Sequence, residues 1–221
     1  MTRSMKLTAA ALGIAALGVA VLSHAQSKGT LPQMSFFVTS TTPKTGDLGG
    51  LAGADKLCQD LAKAEGAGNR SWRAYLSTST YGGGKQVNAR ERIGRGPWYN
   101  AKGVLIARNI DELHDPERNA ISAQNGLTEK GAMITGRGMH DILTGSDSQG
   151  RAFPGEMDTT CSNWTSSAAG GSAMLGHFDR RGSSELLHMK SWVQAHPSVG
   201  CNQDALRRTG GQGLLYCFAA R

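Results

Sequence analysis

The amino-acid sequence predicts an α+β domain: a mixed, mainly antiparallel sheet with one N-terminal helix and long loops. Three observations lead there. Hydrophobic periodicity switches from strand to helix and back only near the start, then gives way to short strands between polar loops. The 30 glycines among 221 residues gather in clusters such as YGGGK, AAGGS and RTGGQG without a repeating period, so turns are many. Cysteines at 58, 161, 201 and 217 make an even set, which in an exported chain implies two disulfides.

Export is predicted by residues 1–25. Arg3 and Lys6 precede the uncharged run LTAAALGIAALGVAVL, and SHA offers small residues at Ser23 and Ala25. This is the three-part layout of a secretory signal peptide, with cleavage expected between Ala25 and Gln26. The apolar run is shorter than the roughly 20 residues of a spanning helix, and no later segment could span a bilayer. The expected compartment is periplasmic or secreted. Two positive charges and no negative ones leave with the signal, so the formal net charge of +7 becomes +5. That mild excess suits a polyanionic extracellular ligand. No basic helix or stripe suggests nucleic acid, and the arginines look scattered. Residues 26–34 read as a flexible leader and 35–221 as one domain.

The elements follow in order. MSFFVTST reads as a first strand. Leu51, Ala54, Leu57, Cys58, Leu61 and Ala62 recur at helical spacing, and Gly66 and Gly68 stop that helix. SWRAYLSTS alternates as a second strand. NARERIG reads as a short helix capped by Asn88, and GVLIARNIDELHD as a strand running into a helical turn. GLLYCFAA is a buried terminal strand with Leu215, Cys217 and Ala219 on one face. A helix stripe packed on that face would carry Cys58 toward Cys217, although four cysteines allow three connectivities. No CxxC pair supports a zinc finger or ribbon.

LAGADKLC, WRAYLS, HDILTGSDSQGR, CSNWTS and LLYCFA occur in that order. Together they resemble the endostatin module of collagens XV and XVIII and its bacterial secreted relatives, from about Phe36 to Phe218. The resemblance implies a C-type-lectin-like fold and nested disulfides, Cys58–Cys217 and Cys161–Cys201. It does not bring ligands with it. The EPN, QPD and WND motifs of calcium-dependent lectins are absent, and QSKGTLPQMS lacks the histidines of the animal endostatin zinc site.

The polar residues singled out as candidate chemistry are His140, Asp141, His177, Asp179 and Arg180, with His188 and His196 beside them. Histidines paired with carboxylates suit zinc and activated water. However, HExxH is absent and the histidines fall on separate loops. They are expected to hydrogen-bond loops and carboxylates, or to line a groove for a polar ligand, with His177 partly exposed. Trp72, Trp164 and Trp192 are expected in the core. Trp98 and Tyr99 are expected on a turn, packed there rather than stacking on a sugar. No GxSxG elbow is present, and GGQG lies too late for a dinucleotide site, so no cofactor is implied. The expected function is non-catalytic recognition of a glycan or extracellular polyanion. The alternatives are an envelope domain that binds protein partners and, behind it, a zinc-dependent hydrolase.

Overall fold

The structure is a computed structural model that describes Met1 and residues 33–220, apart from positions 137, 156, 183 and 185. The expected signal peptide and most of the leader lie outside the described residues. The chain divides into two units, Met1–Thr30 and Leu31–Arg221, and the second holds every strand and helix among the described residues. The α+β expectation holds. Strands β1 (Phe36–Val38), β2 (Trp72–Ala74), β5 (Asp141–Leu143), β6 (Met174–His177), β7 (His196–Pro197) and β8 (Gly211–Ala219) form one sheet. A separate ribbon pairs β3 (Trp98–Tyr99) with β4 (Leu105–Ala107). Helices are α1 (Gly50–Ala64), α2 (Ala89–Arg92), α3 (Ile110–His114), α4 (Cys161–Trp164) and α5 (Gln203–Thr209). No helix among the described residues is long and apolar enough to cross a membrane.

β8 touches most of the sheet. β1 and β2 pair with its second half antiparallel, and β5 pairs with its first half parallel. Its apolar run is explained by burial on both faces. Leu215, Cys217 and Ala219 belong to a core with Phe37, Cys58, Trp72, Trp164 and Leu175 beneath α1. Leu214, Tyr216 and Phe218 belong to a second core with Phe36, Tyr75, Trp98, Ile106 and Trp192.

The helix stripe docks as expected, with Ala54, Cys58 and Ala62 buried. Cys58 bonds Cys217 across 159 residues, and Cys161 bonds Cys201 across 40. No cysteine is free. Asp55, one turn before Cys58, pins α1 to the sheet. Its carboxylate accepts from Arg73 at 2.7 Å, from Arg92 through both oxygens at 2.7 Å, and from the Ala74 N–H at 3.0 Å. A buried carboxylate with this many donors is fully compensated.

Two local expectations are corrected. Trp98 and Tyr99 do not sit on a turn: they form β3, and Trp98 is fully buried. Asn88 stands at the start of α2 but gives the helix no side-chain cap; its side-chain carbonyl accepts from Ala152 N at 3.0 Å. One element had no sequence signal. α4 is a left-handed turn, with φ of 48°, 54°, 56° and 67° over Cys161–Trp164. None of these is glycine, so each residue is strained by roughly 1–2 kcal/mol. Tertiary partners hold it: the disulfide, Trp164 Nε1 donating to Ser77 O at 2.7 Å, and Asn163 Oδ1 accepting from Ser79 N at 2.8 Å.

A buried histidine joins α3 to Tyr75, the residue after β2. His114 donates Nδ1–H to Ile110 O at 2.7 Å and accepts the Tyr75 hydroxyl at Nε2 at 2.6 Å. Burial, with the Arg90 charge nearby, lowers its pKa from 6.5 to about 4, against the opposing pull of the Ile110 carbonyl, Asp147 and Asp111.

This packing has two testable consequences. Alkylation of denatured, unreduced protein should modify no cysteine, and Cys58→Ala should cost on the order of 2–5 kcal/mol in urea melts under non-reducing conditions. His114 stays neutral in the folded state down to about pH 4, whereas the unfolded chain takes up that proton near pH 6.5. The unfolded state therefore binds more protons across this window, and the contribution is complete above it and lost as pH falls. Comparing stability at about pH 7.5 and 4.5, His114→Gln should remove about 2–3 kcal/mol of the wild-type acid-side loss. An unchanged pH slope would remove His114 as its source.

Candidate functional site

The sheet register, rather than any loop, brings the predicted polar residues together. Asp141 opens β5 directly opposite His177, the last residue of β6, and Leu175 of β6 pairs with His196 of β7. Alternation along β6 then places Asp141, His177 and His196 on one face. His140 precedes Asp141 where the β5–β8 register shifts. In place of the separate loops expected, His177 and His196 lie on neighbouring strands, with His140 just before β5.

Asp141 lies at the centre, 1% exposed. The backbone of Gly210 and Gly211 presses on it: a Cβ at Gly210 would lie 3.3 Å from Oδ1, and one at Gly211 2.9 Å from the Asp141 Cβ. The Nε2 atoms of His140, His177 and His196 stand 3.7, 3.3 and 3.8 Å from its Oδ1. Neither Asp141 oxygen accepts a hydrogen bond from a described residue. His177 and His196 bring their Nε2 atoms to 3.0 Å of each other. The His140 ring stacks on His177 with centroids 3.8 Å apart.

The outer ring nitrogens are all occupied. His140 Nδ1 meets Asp179 Oδ1 at 2.8 Å, His177 Nδ1 meets Met189 O at 2.7 Å, and His196 Nδ1 meets Pro197 O at 3.2 Å. Burial pushes the His177 pKa down, but the Asp141 carboxylate and Met189 carbonyl outweigh it, and the net shift is upward. Burial pushes Asp179 up, yet its contact with His140 prevails and holds it below the usual carboxylate range.

Two predicted residues behave differently from expectation. His177 is 1% exposed, so the partly exposed position inferred from its glycine-rich and charged neighbours is overturned: pairing between β5 and β7 covers it. Arg180 does not face the cluster. Its guanidinium donates to Ile121 O at 2.8 Å and to Pro116 O and Asn119 Oδ1 at 2.7 Å, fastening the loop after α3. His188 is exposed in a 3-10 turn, Leu187–Lys190, and makes no part of the cluster. Trp72, Trp164 and Trp192 are core residues, as expected. A cleft of about 290 Å³ opens beside the cluster, lined in part by Met133, Met139, His140, Asp179 and Arg181.

A second region was missed in the sequence. The arginines that look scattered are gathered around Gly94. A cleft of about 520 Å³ is lined by Arg90, Glu91, Gly94, Arg95, Asn109 and Ile110. An adjoining one of about 340 Å³ is lined by Ser71, Arg73, Glu91, Arg92, Gly94 and Ala220. Arg95 is exposed, and Arg73 is half exposed while paired with Asp55. The clustering of arginine in SWRAY and NARERIGRG was the available signal; β2 pairing with the end of β8 made it one surface.

No protein-family model matches this chain, and no curated protein matches it.

The Arg180 staple predicts that Arg180→Ala costs about 3 kcal/mol, because it strands several acceptors. Arg180→Lys should recover less than half of that, since one ammonium cannot span the fork. His177→Ala should also destabilise, by roughly 2–4 kcal/mol, through the cavity left by a buried ring and the stranded Met189 carbonyl. Urea titrations of the three variants check these values, and a His177→Ala loss below about 0.5 kcal/mol would contradict its burial.

Proposed function

We propose that this chain is an extracytoplasmic, non-catalytic binding domain of C-type-lectin-like, endostatin-like fold, and that it recognises a polyanionic glycan. The observation that carries the reading is the arginine-lined double cleft around Gly94, where exposed Arg95 and half-exposed Arg73 stand beside Arg92, held by Asp55, and Arg90, held by Gln149 O and Asp111. Guanidinium groups bind sulfate and carboxylate through paired N–H donors, the recognition a sulfated or uronic polymer offers. The disulfides and the Asp55 clamp support it by holding Arg73 and Arg92 on a rigid frame. With every cysteine bonded, no thiol nucleophile exists.

Tag-free protein run over immobilised heparin in a salt series tests the reading. Wild type should be retained at low salt and released as salt screens the contact. Arg95→Glu should elute at clearly lower salt than Arg208→Glu, which makes the same charge change on the exposed end of α5. Equal shifts in the two variants would reduce the effect to net charge. No retention by wild type would favour an envelope domain with protein partners, which crosslinking in a periplasmic extract would reveal.

A further inference from the structure

The histidine cluster lies apart from the arginine clefts and poses a separate problem. Each ring has an oxygen acceptor at Nδ1. An imidazole that donates Nδ1–H in the neutral state carries a bare lone pair at Nε2. Three such lone pairs face Asp141 Oδ1, which is buried and accepts no hydrogen bond from a described residue. The Nε2 atoms of His177 and His196 lie 3.0 Å apart, within reach of a shared proton or a shared cation. A buried carboxylate that accepts no well-formed hydrogen bond needs a positive charge beside it, and three convergent imidazoles suit a metal ion.

We propose that His140, Asp141 and His177 bind one divalent transition-metal ion of the zinc class, through the two Nε2 atoms and Asp141 Oδ1, and that the ion draws in the neighbouring His196 as its fourth donor. The spacing fits. Donor atoms of His140, Asp141 and His177 lie within 4.8 Å of one another. Four of the six donor separations, 3.0, 3.3, 3.7 and 3.8 Å, lie around the roughly 3.3–3.4 Å edge of a tetrahedron with bonds near 2.0–2.1 Å, and His196 closes the figure by turning toward His140. Imidazole with a single carboxylate suits zinc better than calcium or magnesium, which take oxygen ligands. The Nδ1 partners are the outer contacts that fix metal-binding histidines: a carboxylate from Asp179 and carbonyls from Met189 and Pro197.

With His196 drawn in, four protein donors would close the coordination sphere, the arrangement of a structural zinc. The ion would clamp β5, β6 and β7 at one end of the sheet.

The test uses the tag-free full chain, stripped with a chelator and dialysed. Calorimetric titration with zinc chloride should show one equivalent bound, and cobalt(II) should develop the visible absorption of a tetrahedral complex. His140 and His196 are partly exposed, 29% and 25% at the side chain, so His140→Ala and His196→Ala should fold. Each should weaken zinc binding at least about tenfold, and Asp179→Asn should do so by about 10–100-fold. Far-UV circular dichroism of the metal-free variants should match wild type. Zinc should also raise the melting temperature of wild type and not of the alanine variants. Absence of stoichiometric binding at micromolar zinc would overturn the proposal, and an imidazolium at His177 would then be the compensating charge. Binding unaltered by both alanine variants would overturn it too. Heparin retention should be the same before and after chelation, so either proposal can fail without the other.

Discussion

The hydrogen bonding of β8 is the constraint on which the other elements depend. Residues 211–219 supply partners to β1, β2 and β5, two antiparallel and one parallel. They also divide the interior, one face of the strand filling the core beneath α1 and the other the core beneath the loops. Cys217 fastens α1 to this strand, and Gly210–Gly211 at its beginning shapes the recess that holds Asp141. The arginine surface depends on it as well, because β2 presents Arg73 only through pairing with Phe218. Both candidate sites are therefore built at the two ends of one strand.

Local periodicity made the elements flanking this strand legible. The Cys58 stripe, the buried run of β8, and the passage from β4 into α3 follow from apolar spacing over a few residues, which is where such patterns carry information. The resemblance implied the nested disulfides, and the structure contains that pairing. The candidate site was half legible. The right residues were chosen in His140, Asp141, His177 and His196, but not their arrangement. That arrangement comes from cross-strand register between segments tens of residues apart, and a strand as polar at its end as β5 gives no period to read. The same blindness hid the burial of His177 and the role of Arg180. The left-handed turn of α4 was invisible for another reason. CSNW has no glycine, so its backbone is imposed by contacts to Ser77, Ser79 and Cys201 rather than by local preference.

The two polar regions obey different electrostatic rules. Around Gly94 the charges are partly solvated, so what they attract depends on salt and on the spacing of guanidinium groups. Around Asp141 solvent is excluded, and a single uncompensated group matters more than the net charge of the whole chain. Buried carboxylates mark the contrast within the molecule itself. Asp55 meets guanidinium donors and a backbone N–H, whereas Asp141 meets ring nitrogens only. The first is a finished structural clamp. The second is a buried carboxylate ringed by imidazoles, with no hydrogen bond donated to it by a described residue.

The position of β8 also sets the order of events during synthesis. A growing chain that has released α1, β2 and even β5 holds strands without their shared partner and a Cys58 thiol without its mate. The sheet cannot close until residue 219 has cleared the exit of whatever channel delivers it, since β1 and β2 both pair with positions 216–219. Contacts of such sequence separation are slow to form. A shared partner this late in the chain leaves β1, β2 and β5 waiting, so the sheet is assembled after its strands have been made rather than as each one emerges.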